Sequence, residues 1–215
     1  MSLLIIDGIS CAGKSLLLAN LQRVAQQGAV NFSKLFISEH LTERVFEGLA
    51  PTSSDVRAHT LRLLDVAYGL RSILSDSPFA ERPRTLSMVI ERLFLTFMSR
   101  GLLTLDFFAE HRELLHALAP RHVFLVVPEG EIERRIVDSM ERRSPLWANF
   151  ISSLGGAQTA AHRFATQQAA MASANAALPD TIAKLTFEIS DLAFLSDPNF
   201  AEKLLWPACG SEREI

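Results

Sequence analysis

Cysteine is scarce: two residues in 215, Cys11 and Cys209, far apart in the chain. They offer neither a metal-ligand spacing nor a disulfide framework. No basic block is present either, and the net charge is −3, which argues against a nucleic-acid polymer as partner. A mononucleotide needs only a few local arginines and is not excluded. No apolar run is long and uncharged enough to span a membrane, because Leu93 to Phe108 is interrupted by Arg100, Gly101 and Asp106. Signal and transit patterns are also missing. The expectation is a cytoplasmic protein. Repeats and long linkers are absent, so the 215 residues read as one domain. Hydrophobic residues make up 48% of the chain, enough for a well-buried sheet.

What is present is a run at the N-terminal end. Gly8 to Ser15 fit G-x-x-x-x-G-K-[ST], the phosphate-binding loop, between an apolar strand-like run, Leu3–Ile6, and a helix-forming stretch, Leu16–Gln27. Strand, Gly-rich loop and helix together aim backbone N–H groups and a helix N-terminus at a polyphosphate. The nucleotide-binding residues expected are Gly8, Ile9, Ser10, Cys11, Ala12, Gly13, Lys14, Ser15 and Leu16. Gly8 and Gly13 permit tight turns and close approach. Lys14, expected to stand partly exposed, supplies a cation for the β/γ-phosphates, and Ser15 a hydroxyl for Mg²⁺. Cys11 reads as a small filler.

Strand-like and helical patterns alternate beyond the loop, which predicts a parallel sheet with helices on both faces. Strands are expected at Leu3–Ile6, Lys34–Ser38, Leu86–Ile90, His122–Val127 and Lys184–Ser190. A long helix is expected from Ser53 or Ser54 to about Leu74, with a loop over Ser75–Arg84. Further helices are expected up to Leu118, over Glu131–Arg143, over Pro145–Leu178 with a break at Gly155-Gly156, and over Pro198–Leu205. Alanine richness before Leu178 is read as close helix packing.

In open α/β sheets, chemistry gathers at the carboxyl ends of the strands. Glu39, after the second strand, is a candidate acceptor base or an ordinary loop carboxylate; His40 and Arg44 read as surface residues. Glu91, closing the third strand, suits Mg²⁺ binding, and Arg92 beside it suits phosphate or Glu39; a strand-end salt bridge is the plainer reading. Arg71, near the end of the long helix, is a candidate for an anionic acceptor or a surface cation. Arg134, Arg135, Arg142 and Arg143 follow the fourth strand, and one of them is expected to serve a lid. Phe36, Tyr68, Phe79 and Phe94 line a pocket or fill the core. The fourth strand is not followed by an Asn-Lys-x-Asp guanine signature, so a GTPase reading is weak. An AAA-type motor is disfavoured by length and by the lack of a second arginine-finger module.

These residues together resemble the nucleoside and nucleoside-monophosphate kinase group of P-loop proteins, thymidylate kinase and the deoxynucleoside kinases above all. Glu39 matches the acidic residue after the second strand of deoxynucleoside kinases, with His40 where they carry proline. Glu91-Arg92 followed by Thr96 resembles the Asp-Arg-Tyr-x-x-Ser element of thymidylate kinases and the Glu-Arg-Ser of deoxynucleoside kinases. Leu64–Arg71 resembles the thymidylate kinase helix whose arginine meets the substrate phosphate, and Pro128–Arg135 the segment leading into the lid. The seven-residue gap from Arg135 to Arg142 departs from the usual lid spacing of about four. Chloramphenicol phosphotransferase begins with a similar loop. The resemblance implies a three-layer P-loop NTPase fold, a five-stranded parallel sheet in the order 2-3-1-4-5, and a lid over about residues 140–156. It also implies a kinase using ATP and Mg²⁺, with Lys14, Glu39 and Arg92 catalytic, Ser15 and Glu91 on the metal, Arg71 and Arg92 on the acceptor, and Arg135, Arg142 and Arg143 in the lid. The acceptor implied is a nucleoside or nucleoside monophosphate. A neutral hydroxyl compound such as an antibiotic, a non-catalytic nucleotide-binding regulator, and a homodimer remain open.

Overall fold

The computed structural model describes residues 2–27, 33–75 and 86–205. Five strands, β1 (Ser2–Gly8), β2 (Ser33–Ile37), β3 (Leu86–Glu91), β4 (Arg121–Val126) and β5 (Ala183–Glu188), form one parallel sheet in the order 2-3-1-4-5. The helices are α1 (Lys14–Gln27), α2 (Glu39–Thr42), α3 (Ser53–Ser75), α4 (Leu95–Met98), α5 (Leu105–Glu110), α6 (Arg112–Leu118), α7 (Ile132–Arg142), α8 (Pro145–Ser153), α9 (Ala157–Ala177) and α10 (Pro198–Leu205). The chain is therefore α/β, as expected, and the strand order is the expected one. Boundaries shift by one or two residues, and the region before Leu118 divides into three short helices. Of the expected loop, Ser75 ends α3 and residues 76–84 lie outside the described residues, as does Phe79.

The central strand explains the order. Leu3, Leu4, Ile5 and Ile6 are all buried, the continuous apolar pattern of a strand covered on both faces. Right-handed crossovers place α1 on one face, because β1 to β2 runs one way along the sheet and every later step runs the other. The helix contacts agree: α1 packs with α10, while α3 meets α6, and α4 and α7 meet α9. The alanine-rich α9 buries Ala160, Phe164, Gln168 and Met171 as one stripe, and the Gln168 carboxamide pairs both ways with Val127, accepting from its N–H at 2.8 Å and donating to its carbonyl at 2.8 Å. Among the described residues, no helix is long and apolar enough to cross a membrane.

Register aligns the working edge. Ile6 stands opposite both Glu91 and Val123, and Ile37 opposite Ile90. The chain therefore leaves β1, β2 and β3 at one edge, delivering Gly8, Glu39 and Arg92 side by side. At that edge Asp7 is fully buried. Its carboxylate accepts from the N–H groups of Phe94, Leu95 and Thr96 at 3.2, 3.1 and 3.3 Å, and from Thr96 Oγ1 at 2.9 Å, while His122 Nε2 of β4 stands at 3.0 Å. Burial by itself would raise the Asp7 pKa, but His122, Thr96 and the Leu95 N–H outweigh it and hold the carboxyl below its ordinary value. One side chain thus fastens β1 to the start of α4 and to β4.

Replacing Asp7 by Ala leaves those donors unpaired in a dry interior. The expected loss is about 3–5 kcal/mol of unfolding free energy in urea titration, against about 1–3 kcal/mol for Thr96→Val, which removes a single hydroxyl. Equal losses would show that Asp7 does not carry the junction.

Candidate functional site

The loop Gly8–Ser15 follows β1 and ends in the first turn of α1. Its backbone uses conformations that side chains resist: Gly13 has φ +91°, and a Cβ there would stand 2.3 Å from Leu195 Cδ1. At Gly8 a Cβ would stand 2.8 Å from the Leu125 carbonyl oxygen. Cys11 is in the left-handed region at φ +68° without being glycine. The floor beneath Gly13 is the 3₁₀ turn Leu192–Ser196, held to α1 because Asn20 Nδ2 donates to the carbonyls of Leu195 and Asp197 at 2.9 and 2.8 Å. Ile9 and Ala12 are buried against the core, whereas Ser15 and Leu16 face solvent.

Lys14 is buried rather than partly exposed. Its ammonium group reaches back into the loop and donates to the carbonyls of Gly8 at 3.0 Å and Ile9 at 2.9 Å. Burial, reinforced by the neighbouring Arg92 charge, pushes its pKa down to about 7, against the opposing pull of Glu91, Glu39 and Asp7. The three carboxylates and the arginine are thus all within electrostatic reach of one ammonium.

Glu39, Glu91 and Arg92 do come together. Arg92 adopts φ +57°, a left-handed conformation that costs a non-glycine residue about 1–2 kcal/mol. Its N–H donates to the Ile6 carbonyl at 2.9 Å. The guanidinium is thereby held at the edge, with Nε 3.0 Å from Glu39 Oε2, Nη1 donating to Glu43 Oε2 at 2.7 Å, and Nη2 donating to Ser10 Oγ at 3.3 Å. The Nε contact is close but poorly aligned for a hydrogen bond, so the Glu43 contact is the better formed of the two. Glu39 also pairs through Oε1 with Arg44 Nη2 at 2.6 Å, and Glu43 with Arg100. Burial alone would raise the Glu39 pKa, but Arg92, Arg44 and Lys14 hold it low, so its carboxylate is ionised at neutral pH. Glu91 goes the other way: burial and the Glu39 charge raise it more than Lys14 and Arg92 lower it. The two carboxylates are therefore electrically distinct. Thr42 Oγ1 donates to the Glu91 carbonyl at 2.6 Å and ties α2 to β3.

Other expected residues fall elsewhere. Arg71 is half-buried, twelve residues and about 18 Å of helix beyond His59. His59 reaches the Leu41 carbonyl, at 2.7 Å. Arg135 is buried at the base of α7, where it pairs with Glu131 at 3.1 Å and donates to the Ile189 carbonyl, so it anchors α7 to the end of β5. Arg142 is exposed, and Arg143 lies over the Trp147 ring at 4.7 Å. The expected lid region, 140–156, holds the end of α7, α8 and the Gly155-Gly156 junction. It reaches the loop through a short chain: Trp147 Nε1 donates to Ser139 Oγ at 2.8 Å, Ser139 donates to the Ile136 carbonyl at 2.7 Å, and Ser139 Oγ lies 3.4 Å from Cys11 Sγ. Cys11 is thus the loop's contact with α7 and not a filler alone. Phe94 is core, Phe36 is half-buried and Tyr68 is exposed.

Asp7, Thr42, Glu43, Arg100, His122 and Ser139 were not among the site residues expected from the sequence. Two carried a signal: Asp7 is a charge ending an apolar strand, and Glu43 stands four residues after Glu39. No family model and no curated protein matches this chain.

The Lys14 shift has a stability consequence. Between pH 7 and 10.5 the unfolded chain holds a proton that folded Lys14 has released, so folded stability rises with pH across that window. In Lys14→Met the rise should be smaller, measured as the difference between the two proteins in urea titrations at pH 7, 8.5 and 10. Parallel pH profiles would show that the ammonium is not perturbed.

Proposed function

We propose that this chain is a P-loop phosphotransferase that moves the γ-phosphoryl group of ATP, with Mg²⁺, onto the hydroxyl of a small molecule. The observation that carries this is the convergence of Lys14, Glu39, Glu91 and Arg92, from three separate stretches of sequence, at one edge of a 2-3-1-4-5 parallel sheet. A structural loop has no need of a buried lysine within electrostatic reach of three carboxylates.

Lys14 meets the β/γ-phosphates, leaving the loop carbonyls it now satisfies, while the backbone N–H groups of residues 8–15 surround them. The residues fit Mg²⁺, which is held by one or two protein oxygens together with phosphates rather than by a full protein cage. Ser15 offers an exposed hydroxyl and Glu91 a carboxylate beside Lys14, and among the described residues there is no cluster of three or more His, Cys, Asp or Glu that would hold a metal alone. When bound, the metal offsets charge on the phosphates. Glu39, ionised and at the edge, orients the acceptor hydroxyl and takes its proton. Arg92 is a positioning residue, fixing Glu39 relative to the loop. Arg71, twelve residues along α3 from His59, is left out of this scheme.

Lys14→Ala should weaken binding of a non-hydrolysable ATP analogue about ten- to a hundredfold, the worth of a charge-assisted contact of roughly 1.5–3 kcal/mol, in a protein whose melting curve shows that it is still folded. Unchanged analogue affinity would overturn the reading. Glu39→Gln should lower kcat with analogue affinity preserved, whereas Glu91→Gln should shift the Mg²⁺ dependence of analogue binding. Identical metal titrations in the two variants would refute the division of roles.

A further inference from the structure

Resting on that reading of the site, we propose that Glu43 selects the acceptor: by occupying Arg92 and Arg100 it restricts the site to uncharged hydroxyl compounds with an apolar body and turns away phosphorylated ones. The charges at the edge are already matched. Arg92 is engaged by Glu43 at 2.7 Å and Glu39 at 3.0 Å, Arg44 by Glu39 at 2.6 Å, and Arg100 by Glu43. Lys14 is taken by the donor phosphates. A dianionic acceptor is recognised by an arginine fork presenting parallel N–H groups. Here each fork would first have to leave a carboxylate, stranding Glu39 or Glu43 beside a second dianion in a half-buried site. Neighbouring cations do not relieve this. Arg57 is held by Glu110, and Arg71 lies about 18 Å further along α3 than His59.

The same segment offers the opposite chemistry. Between Glu39 and residue 49, Leu41, Val45 and Leu49 are 58%, 44% and 67% exposed. Apolar side chains left in water on the segment that carries the ionised Glu39 suit a ligand with an apolar body and a hydroxyl. In the transfer, the acceptor oxygen bonds to the γ-phosphorus and its proton passes to Glu39. The bond from that phosphorus to the β,γ-bridging oxygen breaks, leaving the electron pair on ADP. No acceptor charge has to be met.

The test uses the full chain with ATP, Mg²⁺ and three acceptors: thymidine, chloramphenicol, and thymidine 5′-monophosphate. Binding of the ATP analogue is measured first, so that its failure, which overturns the nucleotide reading, is distinguished from a failure of selection. Given analogue binding, ADP release should be stimulated by at least one neutral compound and not by the monophosphate. Titration of the analogue-saturated Glu43→Gln protein with thymidine 5′-monophosphate should show at least a tenfold gain in affinity over wild type, because the substitution releases Arg92 and Arg100. Stimulation of the wild type by the monophosphate, or by no neutral compound, overturns the proposal whether or not the variant folds. So does a folded Glu43→Gln, shown by its melting curve, with no gain for the monophosphate.

Discussion

A single carboxylate with no access to water organises the working edge of this sheet. Asp7 ends the central strand, and an ionised group there is tolerable only if it is fully hydrogen-bonded. It is: three backbone N–H groups, the Thr96 hydroxyl and the His122 ring converge on it. The next residue is Gly8. Whatever fixes Asp7 therefore fixes the start of the loop, and through the same contacts the chain beyond Arg92 is brought against β1. The left-handed turn at Arg92 is the local strain that this arrangement sustains.

Charge is the second constraint. Around the loop, opposite signs alternate: Lys14 lies within the electrostatic reach of Glu39 and Glu91, and Arg92 pairs with Glu39 and Glu43, with Arg44 and Arg100 outside them. Each buried charge is acceptable because a partner is near. The outcome is asymmetric. Glu39 is held ionised by arginines, while Glu91, buried and beside a like charge, is pushed up. Two carboxylates of the same type thus differ in how readily each holds a proton.

The region after β4 is where residue type was the poorer guide. Four arginines in one stretch look equivalent in sequence. In the structure Arg135 is buried as an anchor for α7, Arg143 lies over an indole, and Arg142 is solvated. What distinguishes them is the face of α7 on which each falls and what packs there.

Local chemistry alone determined the parallel α/β sheet, because a strand of four consecutive aliphatic residues can be buried on both faces only between helices. It likewise determined the Gly8–Ser15 loop, because G-x-x-x-x-G-K-[ST] stands between a strand-like run and a helix-forming stretch, and the candidacy of Glu39, Glu91 and Arg92, because each directly follows or closes a strand. Tertiary structure decided what depends on distance through space. It buried Lys14, set Glu43 against Arg92 and joined Asp7 to His122 across 115 positions. Sequence spacing specifies which residues share an element, but sheet register and helix direction decide which elements meet, and the electrostatic character of a site depends on those meetings.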